Sequence, residues 1–599
     1  MSKQEMKMPK MAIGIDNFRT LLFKSDVFVD KSLLIKELIE DPSEVILITR
    51  PRRWGKSMNM DMMRCFFSIE VDLHDRLVPE DQKINPKLFA GGDVDIGFGK
   101  MKKLKPLKIA NDSDSMEHQG KYPVIYINFK DIKGSSYDEI ERAIKNQIIK
   151  LFIQHRYLKE LIKNNPLFDE QELEKLHKYY TNNIGLEDIK DALGFLSSLL
   201  FKYFNQKVYI LIDEYDTPIN SAYLKFTEMP QEFEKILELF RGILGSALKT
   251  NPHLEKAVIT GILRIAKANL FSDLNNIREY CVLDKKFSKF YGFTENEVND
   301  LLSQVPTKTS KEEIKYWYNG YSFGEEIIYN PWSIMLCLSS EGELDHYWVD
   351  SGGTGLIDEA LLRDDIQEDL QKLVEGGSII ETITKHINFN DINTRSGLFS
   401  LLLFAGYLKP QVIEFTEHRY ELSIPNFEVQ YIYRQRIMQW VNKYIQLEIG
   451  AYYNFASLLP ICKLDEFKTT LQSLLLTATS FYQTGEKSAE LFYNGFMLGL
   501  VMNLSTNYII TSEHESGKGR ADLTLIAKAG KQTSAIILEY KIAKNIDELD
   551  NIAKIGLKQI NQKQYDIKLK EYSHIKKIIK ISIGFFQKQA SMEYQIDEV

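Results

Sequence analysis

Gly55, Lys56 and Ser57 close the string Arg50-Pro51-Arg52-Arg53-Trp54-Gly55-Lys56-Ser57, behind the apolar run Glu44 to Thr49 and ahead of a helical pattern from Ser57 to Phe67. A buried strand, a Gly-Lys-Ser turn and a helix are the setting of a phosphate loop, G-x-x-x-x-G-K-[ST]. Arg50 stands where the first glycine of that pattern belongs. The chemistry still works in outline. Backbone N–H groups at the helix start bind phosphate oxygens, Lys56 reaches the outer phosphates, and the Ser57 hydroxyl ligates Mg²⁺. Arg52 and Arg53 add positive charge at the same place. The plain alternative is a basic N-cap turn at the surface.

A second strand, Val208 to Ile212, runs into Asp213-Glu214-Tyr215-Asp216. Asp213 is the candidate metal partner of the phosphate loop and Glu214 the candidate base that polarises water. The competing reading is an acidic loop capping a helix that starts near Thr217-Pro218. The two features on two parallel strands support each other. After the next strand, Lys256 to Thr260, Arg264 is a candidate to neutralise a γ-phosphate, although a surface arginine is the commoner outcome.

A third constellation lies near the C-terminus. Gly519-Arg520-Ala521-Asp522 opens one strand, and Ile536-Ile537-Leu538-Glu539-Tyr540-Lys541 lies on the next. Strand side chains alternate, so Glu539 and Lys541 share a face. A turn centred between Gly530 and Lys531 sets Asp522 opposite Glu539. Charges inside so apolar a strand are costly unless they are paired or bind metal. Two carboxylates on neighbouring strands suit hard cations such as Mg²⁺, with Lys541 placed to hold water or phosphate. Glu490, on an upstream helix, is a candidate third carboxylate, and Gln559 a candidate contact. The bland reading is a cross-strand Glu–Lys pair on an exposed face.

The elements that must position these groups are readable in outline. Short buried strands at Glu44 to Thr49, Pro123 to Phe129, Val208 to Ile212 and Lys256 to Thr260 alternate with helical patterns, as in a parallel sheet covered by helices. Ser136 to Asn164 has helical periodicity. Gly91 to Tyr122 mixes Gly, Lys, Asp and Ser and resembles a surface insertion. Residues 287–450 are helical and loop-rich. Residues 451–599 follow a helix–strand–strand–strand–helix–strand order. The expected architecture is therefore α/β, with an N-terminal phosphate-loop domain (1–286), a mostly helical middle domain and a C-terminal mixed domain.

The 75 Lys and Arg against 83 Asp and Glu leave a net charge of -8 over 599 residues. Nonspecific coating by nucleic acid is excluded, so any such site must be a local basic patch, for which Lys576, Lys577, Lys580 and Lys588 are candidates. Cys65, Cys281, Cys337 and Cys462 form no CxxC pair, which argues against a zinc site or a disulfide framework. The longest nearly apolar run, Gly397 to Leu408, is too short to span a bilayer. No secretory signal is visible at the N-terminus, so the expectation is a cytoplasmic protein without a membrane partner.

The D-x(n)-E-x-K arrangement on a hairpin, with a glutamate on the preceding helix, resembles the PD-(D/E)XK nuclease superfamily. The strings FVDKSLLIKELI, RPRRWGKS, IDEYDTPI, GILRIAKANLFSDLNNI and WYNGYSF resemble the AAA-ATPase-like family, in which such a nuclease domain is typically fused C-terminally. SEHESGKGRADLTLI and ILEYKIAK resemble that nuclease domain. The resemblance covers nearly the whole chain. It implies ATP or GTP and Mg²⁺ as cofactors, with Lys56, Ser57 and Asp213 at the phosphates and metal, beside the candidates Arg53, Gly55 and Arg264 read above. It assigns Glu214 to water, and Asp522, Glu539, Lys541 and Glu490 to a nuclease core acting on nucleic acid, DNA foremost. The competing expectation is a nucleotide-dependent switch or scaffold whose nuclease-like domain binds without cutting. A homo-oligomer is compatible with either.

Overall fold

The structure is a computed structural model. It describes residues 8–72, 77–97, 99–162, 165–226, 229–249, 251–262, 270, 276–348, 361–385, 391, 393–414, 417–445, 454–477, 486–502, 504, 507–516 and 519–599. Two compact units are present, one comprising Met1–Gly355 with Glu381–Glu428, the other Leu356–Ile380 with Val429–Val599. Among the described residues no helix is long and apolar enough to cross a membrane.

The first unit is built on five parallel strands: β1 (Val45–Thr49), β2 (Val124–Asn128), β3 (Val208–Asp213), β4 (Leu254–Gly261) and β5 (Ile277–Tyr280). Their spatial order is β2-β3-β4-β1-β5. Every residue of β1 and β3 is buried, which is why both are runs of branched apolar side chains rather than alternating ones. Helix α1 (Lys56–Phe67) and the helices Tyr137–Gln154, Leu186–Phe204 and Pro230–Leu248 pack on the sheet. The strand β5 escapes the sequence reading because it is short and only half apolar.

Residues 91–122 are not a loose insertion. Gly92–Asp95 and Met101–Leu104 pair as an antiparallel hairpin, and Val94, Leu104, Leu107 and Ile109 enter the core. The apolar anchors here are spaced singly among lysines, so the local composition hides them. The expected long helix from Ser136 breaks into Tyr137–Gln154 and Tyr157–Ile162, with buried His155 between them. The middle of the chain is helical, as expected, but adds two three-stranded sheets. One is Phe293–Thr294, Tyr321–Phe323 and Glu326–Tyr329; the other is Ile379–Thr382, Lys409–Glu414 and Arg419–Ser423.

Glu428, fully buried in this unit, accepts from the Trp348 backbone N–H at 2.7 Å and the Ser333 hydroxyl at 2.8 Å. Burial pushes its carboxyl up to about 8, against these two hydrogen bonds. Below the ordinary carboxylate range both folded and unfolded chains hold the proton and the group is neutral to stability. Above pH ~4.5 the unfolded chain ionises alone, so stability falls until about pH 8, where the folded protein ionises too. Glu428→Gln is therefore expected to flatten this fall and to melt above wild type at pH 8.5. Parallel melting curves from pH 5 to 8.5 would show the carboxyl to be ionised throughout.

The second unit carries β6 (Tyr508–Ser516), β7 (Gly519–Ala527), β8 (Ser534–Ile542), β9 (Lys577–Phe586) and β10 (Gln589–Glu598), neighbours in that order. β8 and β9 are parallel and the other pairs antiparallel. Helix α2 (Glu486–Met502) precedes the sheet, and helix α3 (Leu549–Gln562) makes the crossover that a parallel pair requires. The last strand, β10, lies beyond the expected order; its alternating polar residues give little apolar signal. Leu523 pairs with Leu538 and Ile526 with Ala535, the register expected from a turn between Gly530 and Lys531. Gly530, at φ +78°, supplies the left-handed residue of that turn.

Helix α3 approaches the sheet closely at Gly556, where a Cβ would lie 2.1 Å from Ser582 Oγ and 3.1 Å from its Cβ. Gly556→Ala is expected to destabilise this unit by about 1–3 kcal/mol, the usual cost of overpacking. A lower denaturant midpoint, restored by adding Ser582→Gly, is the expected result.

Candidate functional site

In the first unit, β1 ends at Thr49 and α1 begins at Lys56, so residues 50–55 form the connecting loop. Gly55, at φ +79°, is the N-cap residue, a conformation that suits glycine. Arg50 does not face a phosphate site. It is fully buried, and its Nη1 donates to the carbonyls of Thr49 (2.7 Å) and Tyr280 (2.9 Å) while its guanidinium lies 5.4 Å from the Tyr291 and Phe323 rings. A residue that departs from the glycine pattern thus acts as an internal brace for the loop.

Lys56 is 3% exposed; its Nζ donates to the carbonyls of Arg50 (3.2 Å) and Pro51 (3.0 Å) and pairs with Glu214 Oε1 at 3.3 Å. Asp213, at the end of β3, accepts from Thr260 on β4, from Asn128 on β2 (2.7 Å) and from the Ser57 hydroxyl. The parallel sheet makes this possible by ending three adjacent strands at one level. Burial raises the Asp213 carboxyl, as does neighbouring Glu214. Burial would raise Glu214 as well, but the Lys56 ammonium, Arg52 and the Thr217 hydroxyl bring it below its ordinary value. Glu214 is thus ionised and held at φ +53°, an uncommon conformation for a glutamate.

Asp213 lies buried behind Ser57, and Lys56, Ser57 and Glu214 open onto a cavity of about 530 Å³. Its polar lining includes Arg52, Lys56, Ser57 and Glu214; Phe293 and Trp332 are among its apolar lining. Arg53 also lines it, with its guanidinium 4.1 Å over the Trp332 ring. Arg264 lies outside the described residues. Asn128 was not legible as a site residue, although the polar residue that ends PVIYIN stands in register with Asp213 and could have signalled it.

In the second unit the hairpin brings Asp522, Glu539 and Lys541 together. Asp522 Oδ2 accepts from the Tyr540 backbone N–H at 2.7 Å. Glu539 is 2% exposed; its Oε1 accepts from Lys541 Nζ at 3.0 Å and from Gln559 Nε2 at 2.6 Å, while its buried Oε2 has no hydrogen-bond partner among the described residues. Burial raises the Glu539 carboxyl, opposed by Lys541. Gln559 also donates to the Tyr565 hydroxyl at 3.0 Å, which fixes the amide. Tyr565 was not read as part of this group. It sits just past the end of α3, where strand and helix periodicity both run out.

Residues 12–81 and 98–271 match the model of the predicted AAA-ATPase family, and residues 488–595 match that of the PD-(D/E)XK nuclease superfamily. The chain thus joins an AAA-ATPase-like domain to a C-terminal PD-(D/E)XK nuclease domain. It is also 25% identical, over 437 residues, to an uncharacterized protein of the vnfD 5′ region of Azotobacter chroococcum mcd 1; the match covers 71% of this chain and 69% of that one. The two domains support nucleotide binding and a candidate nuclease.

Within the nuclease domain, Glu490 lies on α2, but its side chain falls outside the described residues. Among the described residues no group of three or more His, Cys, Asp or Glu is placed to hold a metal ion. Two of the four lysines expected to form a basic patch near β9 are engaged within the protein instead. Lys580 is buried and bonded to Asp566 (3.2 Å) and Asp597 (2.7 Å), and Lys577 pairs with Glu598. Alternation explains the error: Lys580 falls on an inward position of the strand, where pairing and not solvation keeps it charged.

Proposed function

We propose that the protein is a nucleotide-regulated, metal-dependent nuclease of the cytoplasm whose substrate is DNA. The observation that carries the reading is the buried Glu539 Oε2, which has no hydrogen-bond partner among the described residues, beside Asp522 and Lys541. A carboxylate oxygen left without a donor inside the protein is costly, and a hard cation satisfies it. Asp522 and Glu539 would hold Mg²⁺, with Glu490 as a third ligand. When bound, such an ion lowers the pKa of a coordinated water and offsets the charge on a phosphodiester.

The chain's own residues do the rest. Gln559 and Lys541 fix the Glu539 carboxylate through the same oxygen, which leaves the other free. The Lys541 ammonium, partly exposed and already beside the carboxylate, is placed to orient the attacking water or to neutralise a phosphate oxygen.

For the nucleotide we favour ATP over GTP. Lys56 and the N–H groups at the start of α1 bind the phosphates, and Ser57 and Asp213 would hold Mg²⁺. Glu214, kept ionised beside Lys56, would take the proton of the attacking water as the terminal phosphate is hydrolysed. Phe293 and Trp332, in the apolar wall of the cavity, would receive the base.

The test is supercoiled plasmid incubated with the full-length protein and Mg²⁺ or Mn²⁺, with and without ATP, and with EDTA. Nicking or linearisation that requires the cation and changes with ATP supports the reading. Intact plasmid under every condition, together with undiminished DNA binding, would mean that the domain binds without cutting.

A further inference from the structure

Five lysines, Lys100, Lys102, Lys103, Lys105 and Lys108, fall within nine residues of a chain whose net charge is -8. They belong to the hairpin Gly92–Asp95 and Met101–Leu104 and the segment after it. On the strand, Lys102 and Lys103 alternate between its two faces. Lys102 turns inward, and its Nζ donates to the carbonyls of Ser25 (2.9 Å) and Phe23 (3.2 Å). Val94 and Leu104 sit in the core on the same side. Lys100, Lys103, Lys105 and Lys108 are exposed, and none of the four forms an ion pair among the described residues. Met101 is 60% exposed between Lys100 and Lys103.

The hairpin is therefore anchored from below and charged above. Against five lysines it carries Asp93, which stands opposite Lys103, and Asp95, whose carboxylate accepts from the Gly97 N–H at the turn. The excess is positive and faces solvent. Nothing in the nucleotide site uses these side chains, since none of them lines its cavity.

We propose that this hairpin is a contact surface for the phosphate backbone of a nucleic acid, in addition to the nuclease site. The proposal rests on the nucleic-acid reading given above. Charge complementarity selects a polyanion, and a nucleic-acid backbone presents one as a closely spaced row of phosphates. An anionic membrane surface is the poorer fit, because one methionine offers little apolar area to bury and no amphipathic helix accompanies it.

The test is a fluorescence-anisotropy titration of a labelled DNA duplex with the full-length protein in EDTA, from 50 to 300 mM salt. The variant Lys100→Ala/Lys103→Ala/Lys105→Ala is expected to bind about tenfold or more weakly at low salt. Its log–log salt slope should be shallower by two or more, at roughly 0.9 per lost phosphate contact. ATP binding and the melting temperature should be unchanged, and the triple Lys→Arg variant should behave as wild type. Wild-type affinity and slope in the alanine variant would overturn the proposal while leaving the nuclease reading intact. Retention on phosphatidylserine vesicles but not on DNA, lost in the same variant, would make this a lipid surface and overturn it too. Failure of the wild type to bind or cut any nucleic acid would remove the nuclease reading itself.

Discussion

Lys541→Ala and Glu539→Gln are each expected to lower the rate of phosphodiester cleavage by about 10²–10³-fold or more, with DNA binding and ATP binding retained. The magnitude follows from the geometry. Glu539 is buried and holds both Lys541 and Gln559 through one oxygen, so the amide variant removes the negative charge without removing the shape. Asp522→Asn is expected to join them, because the Asp522 carboxylate is tied to the Tyr540 N–H on the same strand as Glu539. The loss should appear in the rate at saturating DNA and not in its affinity. Gln559→Ala separates chemistry from positioning: it should retain measurable cleavage, with an altered pH–rate profile as Glu539 loses a donor. Full activity in Lys541→Ala would show that the hairpin charges are structural.

The second large effect is expected at the phosphate loop. Lys56→Ala should weaken ATP binding about 10- to 100-fold, the range for losing a charge-assisted hydrogen bond to phosphate. Glu214→Gln should bind ATP and fail to hydrolyse it, since it keeps the size of the side chain and removes the proton acceptor. Lys56 is nearly buried and paired with Glu214, so its loss leaves Glu214 without its partner. The melting temperature must therefore be measured alongside, and Lys56→Arg serves as a variant that keeps the charge. If Lys56→Ala and Glu214→Gln both cut DNA as wild type does, with and without ATP, the two domains work independently. A rate that follows occupancy at Lys56 would instead mean that nucleotide binds two states of the protein with different affinity.

Much of both sites was legible in the residues because each rests on a local rule. A strand, a Gly-Lys-Ser turn and a helix lie within one short stretch of chain, and the turn at Gly530 sets the register that brings Asp522 to Glu539. Such features need only neighbouring residues, and strand alternation carries the rest. The same logic failed where single apolar anchors are scattered among charges, as in the hairpin after Gly91, and where a lysine sits on the inward side of a strand, as Lys580 does.

By itself, then, the sequence determined the phosphate-loop turn, the acidic strand end, the carboxylate–lysine hairpin and the α/β character of both ends of the chain. Tertiary structure decided which partners those groups have. Asn128 and Thr260 reach Asp213 because parallel strands far apart in sequence end at one level. Arg50 braces the loop because Tyr280, Tyr291 and Phe323 close around it. Gln559 reaches Glu539 because α3 lies tightly on the sheet at Gly556. The physical reason is the same in each case: burial sets the cost of a charge, and only the packed chain determines which donors stand within hydrogen-bonding distance to offset it.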